Sequence, residues 1–252
     1  ADYLKEHGIE SGFRVQTAAY GEYGGMKVIE YEECIRKTNT MSTNDFLDLR
    51  LFIAHEYLLN YFDLGGRPLL DFAKKNDLHP VDLISYISRK PPEEDYPHLS
   101  KYMEEYIEKA KSEWFESEEK ANEHYLQDEV FQKIMKEGFE KLNYEYAANL
   151  ILNSDLREEF MNWVGENIIH HLPEKRSIVN EIVQFCIHNI YRPQVEGFQH
   201  IIEISKSSVK ELADYLSDNR IGDIKQDSTV KIKFETREKK RQFIQEEIKR
   251  HG

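Results

Sequence analysis

The histidines of this chain are the first residues to test for chemistry, because their spacing decides which metal sites they can form. His55 and Glu56 begin like the zinc-binding helix H-E-x-x-H of a metalloprotease, but the position four residues after His55 is Leu59. The second zinc ligand is therefore absent, and we interpret His55 and Glu56 as a buried polar pair. No histidine has a glutamate three residues before it, so the chain also lacks the Glu-x-x-His motif of di-iron helical bundles.

The cysteines and the remaining histidine pair point to structural roles. Cys34 and Cys186 are the only two cysteines, whereas an iron–sulfur cluster needs three or four. They lie far apart on apolar segments, which indicates reduced, structural thiols and no disulfide framework. His170 and His171, with Glu166 one turn before them, are either a metal pair or a basic helix end that complements the helix dipole. The sequence therefore assigns no catalytic residue and no metal ligand.

A glycine-rich segment at residues 20–25, YGEYGG, contains the better candidates for ligand contact. Loops between ordered strands often provide binding residues, and Tyr20, Glu22 and Tyr23 lie in such a position. The alternative is that the tyrosines pack the loop. The glycines do not have the G-x-G-x-x-G spacing, and the chain contains neither the G-x-x-x-x-G-K-[ST] phosphate loop nor the G-x-S-x-G nucleophile elbow.

Two kinds of element must position these residues. FRVQTA (13–18) and KVIEYE (27–32) alternate as strands on either side of the glycine-rich segment, which predicts a β-hairpin. From residue 42 onward nearly every segment has helical periodicity, and residues 229–234 alternate as one C-terminal strand before a charged helix over 236–250. The predicted fold class is mainly α, a multi-helix domain with a small N-terminal β-hairpin and one C-terminal strand.

Helix starts are specified locally. The most apolar helix, over residues 46–62, is preceded by Ser42, which is spaced to form a capping box with Asp45. Ser117 is placed to cap a later helix, and Asp155 with Glu158 predicts another capping box. Pro91 and Pro92 interrupt the helical pattern and place a further boundary near residues 91–98.

Charge excludes one class of partner and suggests another. The chain of 252 residues has a net charge of −13, which repels phosphate backbones and argues against nucleic-acid binding. Residues 91–145 contain 16 acidic and 7 basic side chains. These are either solvated helix faces or a docking surface for a basic protein. No run of about 18 apolar residues is present to span a membrane and no signal peptide opens the chain, so we expect a cytoplasmic protein.

Several phrases in residues 1–90 resemble a known family. FRV (13–15), YGEYGG (20–25), VIE (28–30) and TNTMSTNDF (38–46) are similar to the region that follows the catalytic half-barrel of cobalamin-binding radical S-adenosylmethionine proteins. In that family a Thr-x-Thr-Met-Ser type phrase leads into a long apolar helix. RPLL (67–70) and LHPVDL (78–83) look like the starts of the family's following helices.

The resemblance implies an Fe–S oxidoreductase whose catalytic parts lie elsewhere. Such a parent enzyme uses S-adenosylmethionine, a 4Fe-4S cluster held by C-x-x-x-C-x-x-C, and cobalamin. Neither the cluster motif nor a cobalamin motif occurs here, so no catalytic or cofactor-binding residue is carried over. Residues 1–41 would form a hairpin at the edge of a missing catalytic barrel, and residues 42–252 a helical C-terminal domain. Arg67 joins Tyr20, Glu22 and Tyr23 as a candidate substrate-binding residue.

Two functions follow from these observations. The first is an accessory domain that is not catalytic alone and either shapes the substrate site or docks a partner, with the N-terminal catalytic domains of its own parent chain as the implied partner. Because the chain opens on Ala1 in what looks like mid-domain sequence, we expect a fragment of a longer protein. The alternative is a stand-alone acidic helical module that binds a basic protein.

Overall fold

The computed structural model describes residues 2–60, 65–138, 141–189, 199–216, 220–221 and 229–235. Its strands are β1 (Glu10–Tyr23), β2 (Met26–Lys37), β3 (Gln199–Ser205), β4 (Arg220–Ile221) and β5 (Thr229–Glu235). Its helices are α1 (Asp2–Glu6), α2 (Thr43–Asn60), α3 (Arg67–Lys75), α4 (Pro80–Ile87), α5 (Pro97–Ser112), α6 (Glu118–Tyr125), α7 (Asp128–Glu137), α8 (Leu142–Leu152), α9 (Ser154–His171), α10 (Arg176–His188), α11 (Lys206–Glu211) and α12 (Ala213–Leu216).

The predicted fold class is confirmed. Helices dominate, β1 and β2 form an N-terminal antiparallel hairpin, and the predicted C-terminal strand is present as β5. This strand lies in the middle of a three-stranded antiparallel sheet of order β3-β5-β4. The helix predicted over residues 236–250 lies outside the described residues. Within the described part of the chain, no helix combines the length and apolar character that crossing a membrane requires.

The chain divides into two compact units. Unit 1 comprises the residues up to Leu51 together with Glu104–Tyr146, and unit 2 comprises Phe52–Met103 together with the described residues from Ala147 onward. Unit 1 therefore contains the hairpin, the first turns of α2, most of α5, and α6 and α7. Unit 2 contains α3, α4, α9, α10 and the small C-terminal sheet. The N-terminal hairpin thus forms one unit with a helical segment that begins more than sixty residues later in the chain.

The hairpin of unit 1 turns at Gly24 and Gly25, whose φ angles of 61° and 81° lie in the region that glycine adopts without steric cost. Its strands are long, and the ladder shifts register between Val15 and Tyr20, where Ala18 has a φ of 61°. Between the pairs formed by these two residues β1 has four residues and β2 has one, so the ladder is interrupted by three extra residues on β1. One face of the hairpin is apolar and packs on α6 and α7, in a core formed by Val15, Tyr20, Ile29, Tyr31, Phe115, Ala121, Tyr125, Val130 and Ile134.

Unit 2 has an apolar helical core. Helices α9 and α10 pack side by side across the short 3-10 turn Pro173–Lys175, and α3 and α4 contact them. Gly165 on α9 allows close approach, because a Cβ at this position would lie 2.5 Å from the Cγ2 atom of Val183 on α10. Fully buried side chains fill the core: Leu69, Phe72, Leu83, Ile87, Phe160, Val164, Ile168, Val179, Ile182 and Phe185.

Helix starts follow the local predictions in two of three cases. The backbone amide of Asp45 donates to Ser42 Oγ at 3.1 Å and that of Ser42 donates to Asp45 Oδ2 at 2.7 Å, so the predicted capping box is confirmed. Ser117 caps α6 as predicted. The capping box predicted at Asp155 is wrong, because α9 starts two residues earlier and Asn153 accepts from the amides of its first turn. Asn caps a helix as well as Asp does, and Asn153 precedes Asp155 by two residues.

Candidate functional site

The second face of the hairpin is polar, and it is where charged side chains meet. Gly12 lies opposite Cys34 and Arg14 lies opposite Glu32 in the strand register. Since alternate residues of a strand share a face, these four and Arg36 are on the same side. This side is opposite to Val15 and Tyr31, which enter the apolar core.

Two helices of unit 1 add to this polar face. Phe46 and Arg50 are one turn apart on α2, and Glu113 and Trp114 follow the last turn of α5. The segment after α5 is attached to β1 because Phe13 and Phe115 exchange two backbone hydrogen bonds, of 2.9 and 2.8 Å. We call the resulting group the arginine cluster; its members are Arg14, Arg36, Arg50, Glu32, Glu113, Phe46 and Trp114.

Glu113 is the centre of the ion pairs in the arginine cluster. Its Oε1 atom accepts from Nη1 of Arg14, and its Oε2 atom accepts from Nη2 of Arg50 at 2.7 Å. Arg14 also donates from Nε to Glu32. The side chains of Arg14, Glu113 and Arg50 are only 15–16% exposed. Burial opposes the charge of Arg14, but Glu113 and Glu32 outweigh this effect and raise the pKa of Arg14 above its ordinary value.

Two aromatic rings line the arginine cluster. The guanidinium carbon of Arg14 lies 4.5 Å from the centre of the Trp114 ring, and that of Arg36 lies 5.8 Å from the centre of the Phe46 ring. Both distances are within the range of cation–π attraction. Gly12 makes room for this arrangement, because a Cβ there would lie 2.7 Å from Cδ of Arg36 and 3.0 Å from Cβ of Trp114.

Three N–H groups in the arginine cluster are buried without a hydrogen-bond acceptor among the described residues. They are Nε of Arg36, Nε of Arg50 and the indole Nε1 of Trp114. Buried donors nearly always have partners, and leaving one unpaired costs about 1–3 kcal/mol. The charges are also unequal, since three guanidinium groups face two carboxylates. The arrangement can therefore accept a small anion that brings oxygen acceptors.

Cys34 lies beside the arginine cluster, but the arginines do not lower the pKa of its thiol below the ordinary value. It is half-buried, and burial raises the pKa of its thiol even though Arg14 and Arg50 act to lower it. The thiolate is the reactive form of cysteine, so this thiol stays protonated at neutral pH. Cys186 is fully buried in unit 2, and burial raises its pKa as well, in agreement with its predicted structural role.

The four residues predicted to bind substrate do not form one site. Tyr20 packs against the apolar core of unit 1. Glu22 is exposed, and strand alternation puts it on the same face as Tyr20. Tyr23 belongs to the opposite face; it is 66% exposed, and its ring lies over Gly21, where a Cβ would approach its Cε2 atom to 2.9 Å. Their role in substrate binding stays a prediction.

Arg67, the fourth predicted residue, belongs to unit 2 and is held by its neighbours. Its Nε atom donates to both carboxylate oxygens of Asp71 at 3.0 and 3.1 Å, and its Nη1 atom donates to Oδ1 of Asn60 at 2.7 Å. Asp71 also accepts from the phenol of Tyr215. These contacts explain Arg67 as a structural residue at the start of α3, and a ligand would have to compete with them.

The histidines considered as metal ligands have partners in the structure. His55 is 1% exposed, its Nδ1 atom lies 3.0 Å from Oγ of Ser88, and burial lowers its pKa to about 3. Glu56 instead accepts from the side chain of Asn60 at 2.8 Å, so the two residues are not paired with each other. His171 stacks on Tyr86, with 4.4 Å between ring centres. Among the described residues no group of three His, Cys, Asp or Glu side chains is arranged to hold a metal ion.

Sequence reasoning missed the arginine cluster. The one local signal is the alternation of Glu32, Cys34 and Arg36, which continues beyond the strand predicted over residues 27–32 and places the three side chains on one face of β2. Glu113 and Trp114 occur about a hundred residues after Arg14, and nothing in their own neighbourhood distinguishes them from other members of an acidic helical stretch.

In comparisons with known proteins, no family model and no curated sequence matches the chain. The fold and the site define a mainly α protein in which a β-hairpin and α2 bring three arginines into a partly buried cluster. The resemblance to cobalamin-binding radical S-adenosylmethionine proteins rests on the sequence phrases alone.

Proposed function

We propose that this chain is an accessory domain of a cobalamin-dependent radical S-adenosylmethionine protein, not catalytic alone, which shapes the substrate side of the active site or docks a partner. Its implied partner is the N-terminal catalytic part of the same parent chain, and the implied location is the cytoplasm. The observation that carries the proposal is the structural role of the family-like phrases, which build the connections of a scaffold.

The phrase at residues 38–42 forms the connection between β2 and α2. The amide of Thr38 donates to the carbonyl of Met41 at 2.8 Å, and Oγ1 of Thr38 accepts from the amides of Thr40 and Met41 at 3.2 and 3.1 Å. The capping box of Ser42 and Asp45 then starts α2. Hydroxyl groups are needed at these positions because they replace the backbone partners that a strand loses where it turns into a helix.

Two further phrases, RPLL and LHPVDL, start α3 and α4. Pro68 occupies the first turn of α3, where its fixed φ suits the helix and its missing N–H is not needed. His79 caps α4, because its Nδ1 atom accepts from the amide of Val81 at 3.2 Å, and Pro80 follows it as the first helical residue. All three phrases thus specify backbone geometry, which is what a relative of the family's accessory region would share.

The cofactors of the proposed parent do not fit this chain's own residues. A 4Fe-4S cluster requires thiolate ligands, whereas Cys34 is half-buried on β2 in unit 1 and Cys186 is fully buried on α10 in unit 2. The cluster, S-adenosylmethionine and cobalamin are therefore assigned to other parts of the parent, and no chemical step is assigned to this chain.

Reading the coding sequence upstream of Ala1 tests the accessory role directly. We expect a C-x-x-x-C-x-x-C motif in the same frame. We also expect anaerobic treatment with iron and sulfide to give cluster absorbance in the segment that contains this motif and none in the present chain. An open reading frame without cluster-binding cysteines, or a stable cluster on these 252 residues, would reject the proposal.

A second candidate function is supported by the surface of unit 1. Its helical segment from α5 to α7 exposes nine carboxylate side chains, namely Glu104, Glu105, Glu108, Glu116, Glu118, Glu119, Glu123, Asp128 and Glu129. A surface of this kind attracts cationic partners over a distance of about 10 Å at moderate salt. This chain is then an acidic interaction module that binds a basic protein.

Binding of a lysine-rich peptide tests this second function. We expect binding that weakens steeply with added salt and is lost in the variant Glu118→Gln/Glu119→Gln/Glu123→Gln. The matched control removes three exposed carboxylates from unit 2, as Glu158→Gln/Glu166→Gln/Glu174→Gln, so that both variants have the same net charge. Equal loss in the two variants would show that only net charge matters and would exclude a specific acidic surface.

A further inference from the structure

We infer that the arginine cluster of unit 1 is a binding site for a small oxyanion of the phosphate or carboxylate type. This inference is independent of the proposed accessory role, because it uses contacts within unit 1 and no family resemblance. Arg14 and Phe46 also lie in the family-like phrases, but the inference uses only their contacts within unit 1, so the two proposals can fail separately.

The first argument is the imbalance of charge. Glu113 neutralises part of the charge on Arg14 and Arg50, and Glu32 pairs with Arg14. Arg36 forms no ion pair with a described residue, and one positive charge is left over. A partly buried cationic group is unexpected in a chain with a net charge of −13, since there are enough carboxylates to pair every guanidinium. An anion supplies the missing charge.

The second argument is the kind of hydrogen-bonding group that is left unpaired. Nε of Arg36, Nε of Arg50 and Nε1 of Trp114 are all donors, and Trp114 is 92% buried, its relative exposure being 8%. The ligand must therefore offer acceptors only, which excludes metal cations and amines. Guanidinium groups bind planar or tetrahedral oxyanions with two or more oxygens especially well.

The third argument is the space that the backbone leaves for Arg36. Gly12 is the strand position at which a side chain would collide with both Arg36 and Trp114. A glycine in a strand interior weakens the strand and often marks a close approach of a ligand or another chain segment. Here it leaves room for Cδ of Arg36 and for Cβ and Cε3 of Trp114, while the guanidinium carbon of Arg36 lies 5.8 Å from the centre of the Phe46 ring.

The test uses the whole chain with inorganic phosphate as the first probe and acetate as the second. We expect phosphate or acetate to raise the melting temperature in a concentration-dependent way, and calorimetry to give a one-to-one complex with at least one of them. Arg36→Gln should weaken this binding about ten- to hundredfold, since it removes a charge-assisted contact. Arg36→Lys keeps the charge but loses the Nε donor and should give an intermediate affinity.

Two controls make the outcome decisive. Arg176→Gln removes an exposed arginine of unit 2 that already pairs with Glu166 at 3.5 Å and should leave anion affinity unchanged. Circular dichroism at low temperature verifies that Arg36→Gln is folded, and Arg36→Lys serves if it is not. If neither anion binds, or if wild type, Arg36→Gln and Arg176→Gln respond equally, the arginine cluster is not an anion site and the inference is overturned, whatever the upstream reading frame contains.

Discussion

Trp114 and Trp163 are the only two tryptophans of the chain, and they show how differently the two units use polar groups. Trp163, in unit 2, donates its indole N–H to the carbonyl of Ile87 at 3.0 Å and thereby ties α9 to the end of α4. Trp114, in unit 1, has the same group buried without an acceptor among the described residues. The indole of Trp163 connects two helices, whereas that of Trp114 lies among the charged side chains of the arginine cluster.

Charged side chains repeat this difference. In unit 2, Glu159 of α9 accepts the amide of Leu99 at 2.8 Å, and Arg157 donates to the carbonyls of Leu150 and Ile151 at the end of α8. Side chains there complete the backbone hydrogen bonds that helix ends leave unpaired. In unit 1, Arg14, Arg50 and Glu113 bind each other. In these contacts the charged side chains of unit 2 fasten helix ends, whereas those of unit 1 pair with one another in the arginine cluster.

The largest effect that we expect is a loss of stability in acid, caused by the buried, neutral His55 of unit 2. The pKa of His55 is about 3 in the folded protein and near 6.5 in the unfolded chain, so the unfolded state binds the proton first. The contribution of His55 to the free energy of unfolding is fully present above about pH 6.5. It falls by about 1.4 kcal/mol for each pH unit toward pH 3. We expect urea unfolding between about pH 7 and pH 4 to show this slope, and His55→Asn to reduce it.

The hydrogen bonds of His55 explain why Asn is the matched variant. Oγ of Ser88 donates to the carbonyl of Ile84 at 2.7 Å, so it must accept from Nδ1 of His55, and Nε2 has no partner among the described residues. Protonation of Nε2 would add an unpaired N–H at this buried edge of the imidazole ring. Asn keeps one donor for Ser88 and does not titrate. An unchanged slope in His55→Asn would show that His55 is not the group that acid attacks.

Removing the central carboxylate of the arginine cluster tests how much its ion pairs contribute to the stability of unit 1. Glu113→Gln leaves Arg14 and Arg50 close together without their shared counter-charge. Breaking a buried ion pair costs about 3–5 kcal/mol, and we expect the lower end, about 3 kcal/mol, because these side chains keep slight exposure. Denaturant unfolding at neutral pH measures the loss.

Glu145→Gln is the control for this change. Glu145 pairs with Lys109 in the same unit, but the side chains are 35% and 50% exposed, so its loss should cost less than about 1 kcal/mol. Similar costs for the two variants would mean that the arginine cluster contributes no more than a surface ion pair. The two units would then differ in which residues they contain, but not in how much their ion pairs contribute to stability.

The parts of this molecule that sequence could predict are the local ones. Ser42 and Asp45 are three residues apart, and the strand at residues 229–235 alternates within seven positions, so their patterns are complete in a short window. The extent of β1 was underestimated because Gly21 suggested a loop, although the strand continues through it to Tyr23. Arg14 and Glu113 are separated by 99 positions, and only the packing of the hairpin on a distant helical segment brings them together.

Packing in unit 2 should be more sensitive to shape than to charge, and Gly165→Ala tests this. Alanine favours a helix over glycine by about 1 kcal/mol, but here its Cβ would lie 2.5 Å from Val183 Cγ2, and valine has little rotamer freedom in a helix. Overpacking costs about 1–3 kcal/mol, so we expect a net loss of about 1 kcal/mol in thermal unfolding. In a Val183→Ala background the same change should be neutral or stabilising. Stabilisation by Gly165→Ala alone would contradict tight helix contact.

The smallest expected effect has the opposite pH dependence to that of His55 and comes from a surface group of the same unit. His98 Nδ1 lies 2.5 Å from Oε1 of Glu159, and the hydrogen bond and charge of Glu159 raise the pKa of His98 above 6.5. Its contribution is therefore complete below about pH 6.5 and is lost as the pH rises through the higher folded-state pKa. Because His98 is about half exposed, we expect only a few tenths of a kcal/mol.

Melting temperatures at about pH 5.5 and pH 8.5 measure this contribution of His98. His98→Gln keeps a donor for Glu159 but does not titrate, so it should remove the small loss at high pH while the acid-induced loss caused by His55 remains. A large effect of His98→Gln at low pH would mean that unit 2 depends on an exposed charge pair. Both units would then rely on attraction between charged side chains. This result would contradict the inference that the polar side chains of unit 2 stabilise it mainly through hydrogen bonds to the backbone.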